Sequence, residues 1–448
     1  MPRFLKIISN VKHPAPLWIA SCLAIALQIQ VTLFQSNSYA GLRINLADLL
    51  LPFLVPFILL SLFRRQSRWP RFESRLLIPL LLSAAAMTLS MAQSYSVGGD
   101  NLTWALVNKY IGFLILLTYL AAGAWLAANS APERLLRLFS LAFCGFFVLT
   151  LILSGLALLG QSLTGVNLRL GNFAWEGFMA NRNAFALLAM ACLLLIESLR
   201  KEDAPQTHKV LLFLFWLLVP AFAVYNASRT GWIVGAILIA GILIKKPKVF
   251  LQKILPALLL GALIAYGATL IYASRDIEKN IQFRRLLAVT ALGEKVKYDG
   301  DHKRMVALED GLELYSKSNL LIGAGLGQYK DFQIEKRGKF VDIIDCTPLW
   351  LLVETGFLGL LSVAGFFTLC LHATWKKGFS KQEKYLETAD FHRAIFFFLL
   401  AFAAFSLFHE VMYTRFLWFV LGLALGAKKM QTTQNDIAKT SDSLLGNK

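Results

Sequence analysis

Apolar residues in this chain come in runs of about 18 or more, and that feature decides most of what it can fold into. A helix of that length crosses a hydrocarbon core of roughly 30 Å. Composition agrees, since 57% of the 448 residues are hydrophobic and only 16% are charged. A soluble domain would hold about 45–50% and about 25%. The alternating segments of an outer-membrane barrel are absent. The fold class expected is all-α: a polytopic membrane protein.

Twelve spans can be read along the chain. The first, about Leu17–Gln35, follows Arg3, Lys6 and Lys12 and is too long for a signal-peptide core, so it reads as an uncleaved helix. The others are Leu46–Phe63, Leu76–Tyr95, Leu102–Ala128, Leu135–Leu159, Ala184–Leu199, Val210–Tyr225, Gly231–Ile244, Val249–Ala273, Leu349–Thr374, Ala394–Phe408 and Val411–Leu425. Cationic clusters at 3–12, 64–75, 200–209, 245–248, 376–384 and 428–429 all fall on one side, which the positive-inside rule makes cytoplasmic along with both termini. The net charge of +18 is explained by these loops and is no sign of nucleic acid. The chain divides into spans one to nine (1–272), a polar outer loop (273–347), spans ten to twelve (348–430) and a polar tail (431–448) expected to be disordered. Four of the five cysteines lie within spans, so no disulfide framework is expected.

Candidate chemistry collects on the outer side. Asn226-Ala227-Ser228-Arg229-Thr230-Gly231-Trp232 is a very short turn with an arginine at the membrane lip, which is costly there unless paired or hydrated. A snorkelling interfacial residue is its ordinary explanation. In the long loop, Asp301 to about Tyr315 reads as a helix with Met305, Leu308 and Leu312 on one face; it carries Arg304 and would lie along the membrane surface or cap the site. Gly323-Ala324-Gly325-Leu326-Gly327 hints only weakly at a dinucleotide loop, because no βαβ unit surrounds it. Asp345-Cys346-Thr347 and Glu354-Thr355-Gly356 open span ten, and Arg169 and Asn181-Arg182-Asn183 precede span six. Asp299, Asp301 and His302 lie together beside Lys303 and Arg304 and make a poor metal site, so no metal or other cofactor is expected.

In order and setting, several of these motifs resemble the O-antigen ligase/polymerase family of bacterial inner membranes (WaaL-like and Wzy-like proteins). They are Ser228-Arg229-Thr230-Gly231-Trp232, the spacing to Arg304, the Gly323–Tyr329 turn, Glu354-x-Gly356, Arg169-x-Gly171 and Asn181-Arg182-Asn183. The resemblance implies a GT-C-like helical architecture with short helices in its periplasmic loop. It also implies a donor glycan on undecaprenyl diphosphate and an acceptor that is a second glycan or lipid A–core. Membrane lipids and a chain-length regulator are further candidate partners. Ligases of the family place a histidine nine residues before the glutamate; here that position is Asp345. The departure tilts the reading modestly from ligase towards polymerase.

The implied reaction is attack of an acceptor hydroxyl on the anomeric carbon, with inversion, as lipid diphosphate departs. Charge building on the diphosphate needs preorganised cations. Arginine suits that task, since its planar fork grips phosphate oxygens and stays charged. Arg229 and Arg304 are the candidate clamp, with Lys109, Arg169, Arg182 and Arg285 as further substrate contacts. Asp345 is the candidate that orients or deprotonates the acceptor, with His409 and Glu410 as rivals. Capping of span ten is an equally good account of Asp345. A secondary transporter is the alternative class, but buried charge is sparse, with Asp48 and Lys109 the main candidates, and no repeated halves are seen.

Overall fold

The computed structural model describes residues 15–33, 42–63, 74–164, 175–179, 181–200, 204–226, 228–273, 299–382, 385 and 388–426. Each of the twelve expected spans contains a helix. Seven are long and apolar enough to cross a membrane: α3 (Ser74–Val97), α4 (Leu102–Ala128), α5 (Pro132–Thr164, spanning over Pro132–Ala157), α7 (Gln206–Asn226), α9 (Pro247–Ala268), α12 (Thr347–Gly378) and α13 (Ala389–Ser406). Three are shorter and apolar: α1 (Ala15–Ala26), α2 (Leu51–Phe63) and α14 (Arg415–Gly426). The remaining two, α6 (Arg182–Ser198) and α8 (Arg229–Lys245), have 17 residues each. The long loop adds α10 (Asp299–Ser316) and α11 (Gln328–Arg337).

The first span departs from its expected form. Its helix ends at Ala26, and Gln30–Leu33 pairs antiparallel with Leu42–Asn45 as strands β1 and β2. Gln28 helps end the helix, its buried amide donating to the carbonyls of Ala24 (2.9 Å) and Phe143 (2.8 Å). Among the described residues, the regular structure is therefore helical apart from one two-stranded hairpin. Asp48 also proves structural, for it accepts from Arg415 Nε and the Tyr119 hydroxyl, both at 2.8 Å, tying the entry to α2 onto α4 and α14.

Between helices in lipid, close packing replaces the hydrophobic driving force, and small residues let backbones approach. At the α4–α14 contact a side chain at Gly422 would lie 2.2 Å from the Leu120 carbonyl oxygen, and one at Gly123 2.3 Å from that of Phe419. The short α14 is thus held against α4 almost backbone to backbone, with Trp418 stacked on Phe366 of α12 (centroids 5.6 Å apart). This packing sets the level of the 407–414 turn, on which the candidate site is built.

Candidate functional site

Two arginines come from adjoining helix starts. Ser228 caps α8, its hydroxyl accepting from the Gly231 amide at 3.3 Å, and Asn181 caps α6 through the amides of Asn183 (2.8 Å) and Ala184 (3.0 Å). The caps are joined: Ser228 Oγ donates to Asn183 Oδ1 at 3.1 Å, and Asn226 Nδ2 donates to the carbonyls of Arg182 (2.9 Å) and Trp175 (2.7 Å). Arg182 and Arg229 therefore occupy neighbouring first turns, where helix N-termini themselves favour an anion.

The third arginine comes from the loop. Arg304 on α10 donates through Nε to Asp345 Oδ2 at 2.6 Å, just ahead of α12. The first residue of α12, Thr347, donates to the His409 carbonyl at 2.7 Å and accepts from the Val411 amide at 3.1 Å. His409 Nε2 lies 3.0 Å from the Thr230 hydroxyl. Burial pushes this imidazole down to about 3, with Arg304, Arg182 and Arg229 each adding to the effect, so it is neutral at physiological pH. Its Nδ1 is buried and has no partner among the described residues. The segments that carry the three arginines thus meet around one histidine.

Beside it, Lys109 donates to Glu410 at 2.5 Å and lies 4.3 Å from the Trp350 ring centroid. Lys109 stands in a π-helical turn of α4, Ala105–Ile111, and its carbonyl accepts from the Tyr413 hydroxyl at 2.9 Å. Its side chain is only 7% exposed, so its observed task is to hold Glu410. Glu354 is buried nearby, and its Oε2 has no partner among the described residues. Burial raises the Asp345 carboxyl above the usual carboxylate range; Arg304 opposes the shift, and Asp342 and Glu410 add to it.

The loop is fastened by a break in α12. Gly356 leaves the helix at φ 66°, which frees backbone groups on both sides. The loop supplies their partners: the amides of Ala324 and Gly325 donate to the carbonyls of Val353 (2.8 Å) and Glu354 (3.2 Å), and those of Phe357 and Leu358 donate to Leu320 and Leu321, both at 3.0 Å. Ser90 of α3 also donates to the Glu354 carbonyl at 2.5 Å. The glycine-rich turn at 323–327 is therefore a brace against α12 and α3. On α10, Met305, Leu308 and Leu312 are exposed, whereas Ala307, Asp310 and Gly311 face inward. Asp310, fully buried, accepts from Arg337 (2.7 and 2.8 Å), Lys336 (2.9 Å) and Gln333 (3.2 Å), joining α10 to α11. The Arg337 bonds, followed by those of Lys336 and Gln333, hold its carboxyl down at about 2.

A folded-state value below the unfolded one, about 3.9, means that Asp310 stabilises the loop above pH 4 and stops doing so as pH falls through 2. Asp310→Asn is expected to remove about 3 kcal/mol from the loop's stability. Limited proteolysis of 299–345 should then cut the variant at neutral pH as readily as it cuts the parent protein near pH 2.

Of the nine residues expected to form the site, seven gather here: Arg182, Arg229, Arg304, Asp345, His409, Glu410 and Lys109. Arg169 and Arg285 lie outside the described residues. Sequence reasoning gave no separate role to Thr230, Thr347 or Trp350. Thr230 and Thr347 stood inside motifs already quoted, but the contacts of all three residues are long-range and leave no local signal. Among the described residues, no three His, Cys, Asp or Glu side chains gather to hold a metal ion. Directly below the arginine turn, an apolar cavity of about 380 Å³ lies between α5, α6, α7 and α8. Phe147, Met190, Phe222 and Ile239 line it, and Asn226, Gly231 and Trp232 form its upper wall.

These features define a multi-pass helical membrane protein with a basic, partly buried site where its helix ends meet a braced loop. Residues 212–364, which include Arg229, Arg304, Asp345 and Glu354, match the family model described as O-antigen ligase, and the match supports assignment of the chain to the O-antigen ligase/polymerase family. No curated protein matches the chain.

Proposed function

We propose that this protein is an inverting, metal-independent glycosyltransferase. It takes a glycan from undecaprenyl diphosphate and passes it to an acceptor hydroxyl at the periplasmic face of the bacterial inner membrane, in surface polysaccharide assembly. The observation that carries this reading is that the chain segments bearing Arg182, Arg229 and Arg304 meet around His409, through the contacts of Asn226, Thr230, Thr347 and Asp345, above an apolar cavity. A diphosphate on a long apolar tail is complementary to such a pair of features, anion above and hydrocarbon below. Twelve spans with both termini in the cytoplasm would put the arginines on the outer side.

In the reaction, the acceptor oxygen forms a bond to the anomeric carbon as the bond from that carbon to the diphosphate oxygen breaks. The electron pair leaves with the diphosphate, and the arginine forks meet the growing charge. Asp345 is the proposed proton acceptor. Its raised carboxyl brings its basicity closer to working pH, and its bond to Arg304 couples acceptor and donor ends of the site. Since the shift is upward, transfer should fall on the acid side as Asp345 protonates. Asp345→Asn is expected to lower turnover by about 10²–10³-fold and to abolish that acid limb; a pH–rate profile of the variant that kept the parent's acid limb would assign the proton to another group.

The Asp345 position tilts the assignment towards a polymerase, which joins two lipid-linked glycans, over a ligase acting on lipid A–core. Purified protein given only the lipid-linked repeat unit is expected to make longer lipid-linked chains. No product until lipid A–core is added would instead assign a ligase.

A further inference from the structure

At the end of the helix bundle away from the arginines lies a second cavity of about 280 Å³. The helices themselves fix its place: α6 runs from Arg182 at the arginine site to Ser198 on the cavity wall, and α7 from His208 on that wall to Asn226 at the site. Its lining is largely polar and is graded with depth. Deep in the wall are Ser140, 1% exposed, and His208, 6% exposed, with Arg137 beside them. Ser140 Oγ has no hydrogen-bond partner among the described residues. At the mouth are two exposed carboxylates, Glu133 and Asp390, the latter bonded to Arg393. Three helices, α5, α7 and α13, begin at this cavity, and helix N-termini favour negative charge.

A buried hydroxyl without a partner, as at Ser140, is costly, and polar groups at a membrane-protein interior are commonly functional. Here the inner wall offers the Arg137 guanidinium with the Ser140 and His208 side chains, and the rim offers two carboxylates, one of them shared with Arg393. A simple anion would satisfy the wall but be repelled at the rim. A cation would meet the opposite fate. A ligand carrying both charges in the matching order satisfies both.

We infer that this cavity binds a phosphoester bearing an ammonium group, with the phosphate on Arg137, His208 and Ser140 and the ammonium between Glu133 and Asp390. The headgroup of a zwitterionic aminophospholipid and a free phosphoethanolamine share that chemistry. The site uses no residue of the arginine cluster, and it stands or falls independently of the glycosyltransferase reading.

The test uses the full chain in nanodiscs of phosphatidylethanolamine, of phosphatidylglycerol, or of phosphatidylcholine with added O-phosphoethanolamine or inorganic phosphate. Native mass spectrometry after detergent release counts what each protein retains. The parent protein is expected to retain phosphatidylethanolamine or O-phosphoethanolamine at least tenfold better than phosphatidylglycerol or phosphate, and the arm that binds identifies the source. Arg137→Gln and His208→Gln should each reduce that retention about tenfold. Glu133→Gln/Asp390→Asn, confined to the exposed rim and so safe for folding, should keep binding but bring phosphatidylethanolamine and phosphatidylglycerol to parity. Equal retention of both lipids by the parent protein, stronger retention of inorganic phosphate, or unchanged retention and preference in the variants would overturn the assignment.

Discussion

Replacing Arg229 or Arg304 with alanine is expected to lower glycan transfer by about 10²–10³-fold while the protein still accumulates in the membrane. The magnitude is that of removing one preorganised donor from a developing negative charge, about 2.7–4 kcal/mol. Arg229 is exposed in the first turn of α8, and Arg304 is tied to Asp345 at the loop surface, so neither change opens a core cavity. Lysine at either position keeps the charge but loses the fork, so it should recover only part of the rate. The two losses should not add if, as proposed, both guanidinium groups act on one leaving group. Single-turnover rates with lipid-linked donor measure this; parent-like rates in both alanine variants would remove the clamp.

The second large effect is structural. Gly356→Ala would put its new carbon 2.3 Å from the Leu321 carbonyl oxygen and 2.6 Å from the Gly323 amide, at a backbone φ of 66° that side chains rarely adopt. The brace between loop and broken helix must then open, releasing the four backbone bonds that cross it. The combined strain and lost bonding come to roughly 3 kcal/mol or more. Transfer should collapse along with the loop's resistance to protease, since Arg304 and Asp345 both depend on that docking. Gly145→Ala is the matched control, in the middle of α5 with no atom within 4 Å of the added carbon. It is expected to be neutral or slightly stabilising. If both substitutions left the loop equally protected, the brace would not be what positions the site.

The helices were legible because each rests on a property of its own stretch, an apolar run closed by cations or turn residues. The hairpin after α1 was not, since Gln28 turns the chain by bonding to Phe143, 115 residues away. The site was legible residue by residue but not as an arrangement. Arg229 stood out as a charge at a costly place and Arg304 as a cation on the loop helix, whereas the buried histidine between them entered only as a rival base. Asp310 sat unremarked on a helix read by its apolar face. That face is in fact exposed, while the inward one carries a carboxylate that two cations on α11 neutralise. Lys109 and Asp48, the two charges that hinted at transport, each have a partner in a different helix or turn, Glu410 and Arg415, so their burial is explained by packing the bundle. The break at Gly356 was visible only as a short motif, because its purpose lies in partners thirty residues upstream.

The most direct measurement is a structure of the full chain with polyprenyl diphosphate bound. The account predicts the phosphates within hydrogen-bonding distance of both Arg229 and Arg304, with the first isoprenoid units entering the cavity lined by Phe147, Met190 and Phe222. Phosphates seated elsewhere, touching neither arginine, would contradict it.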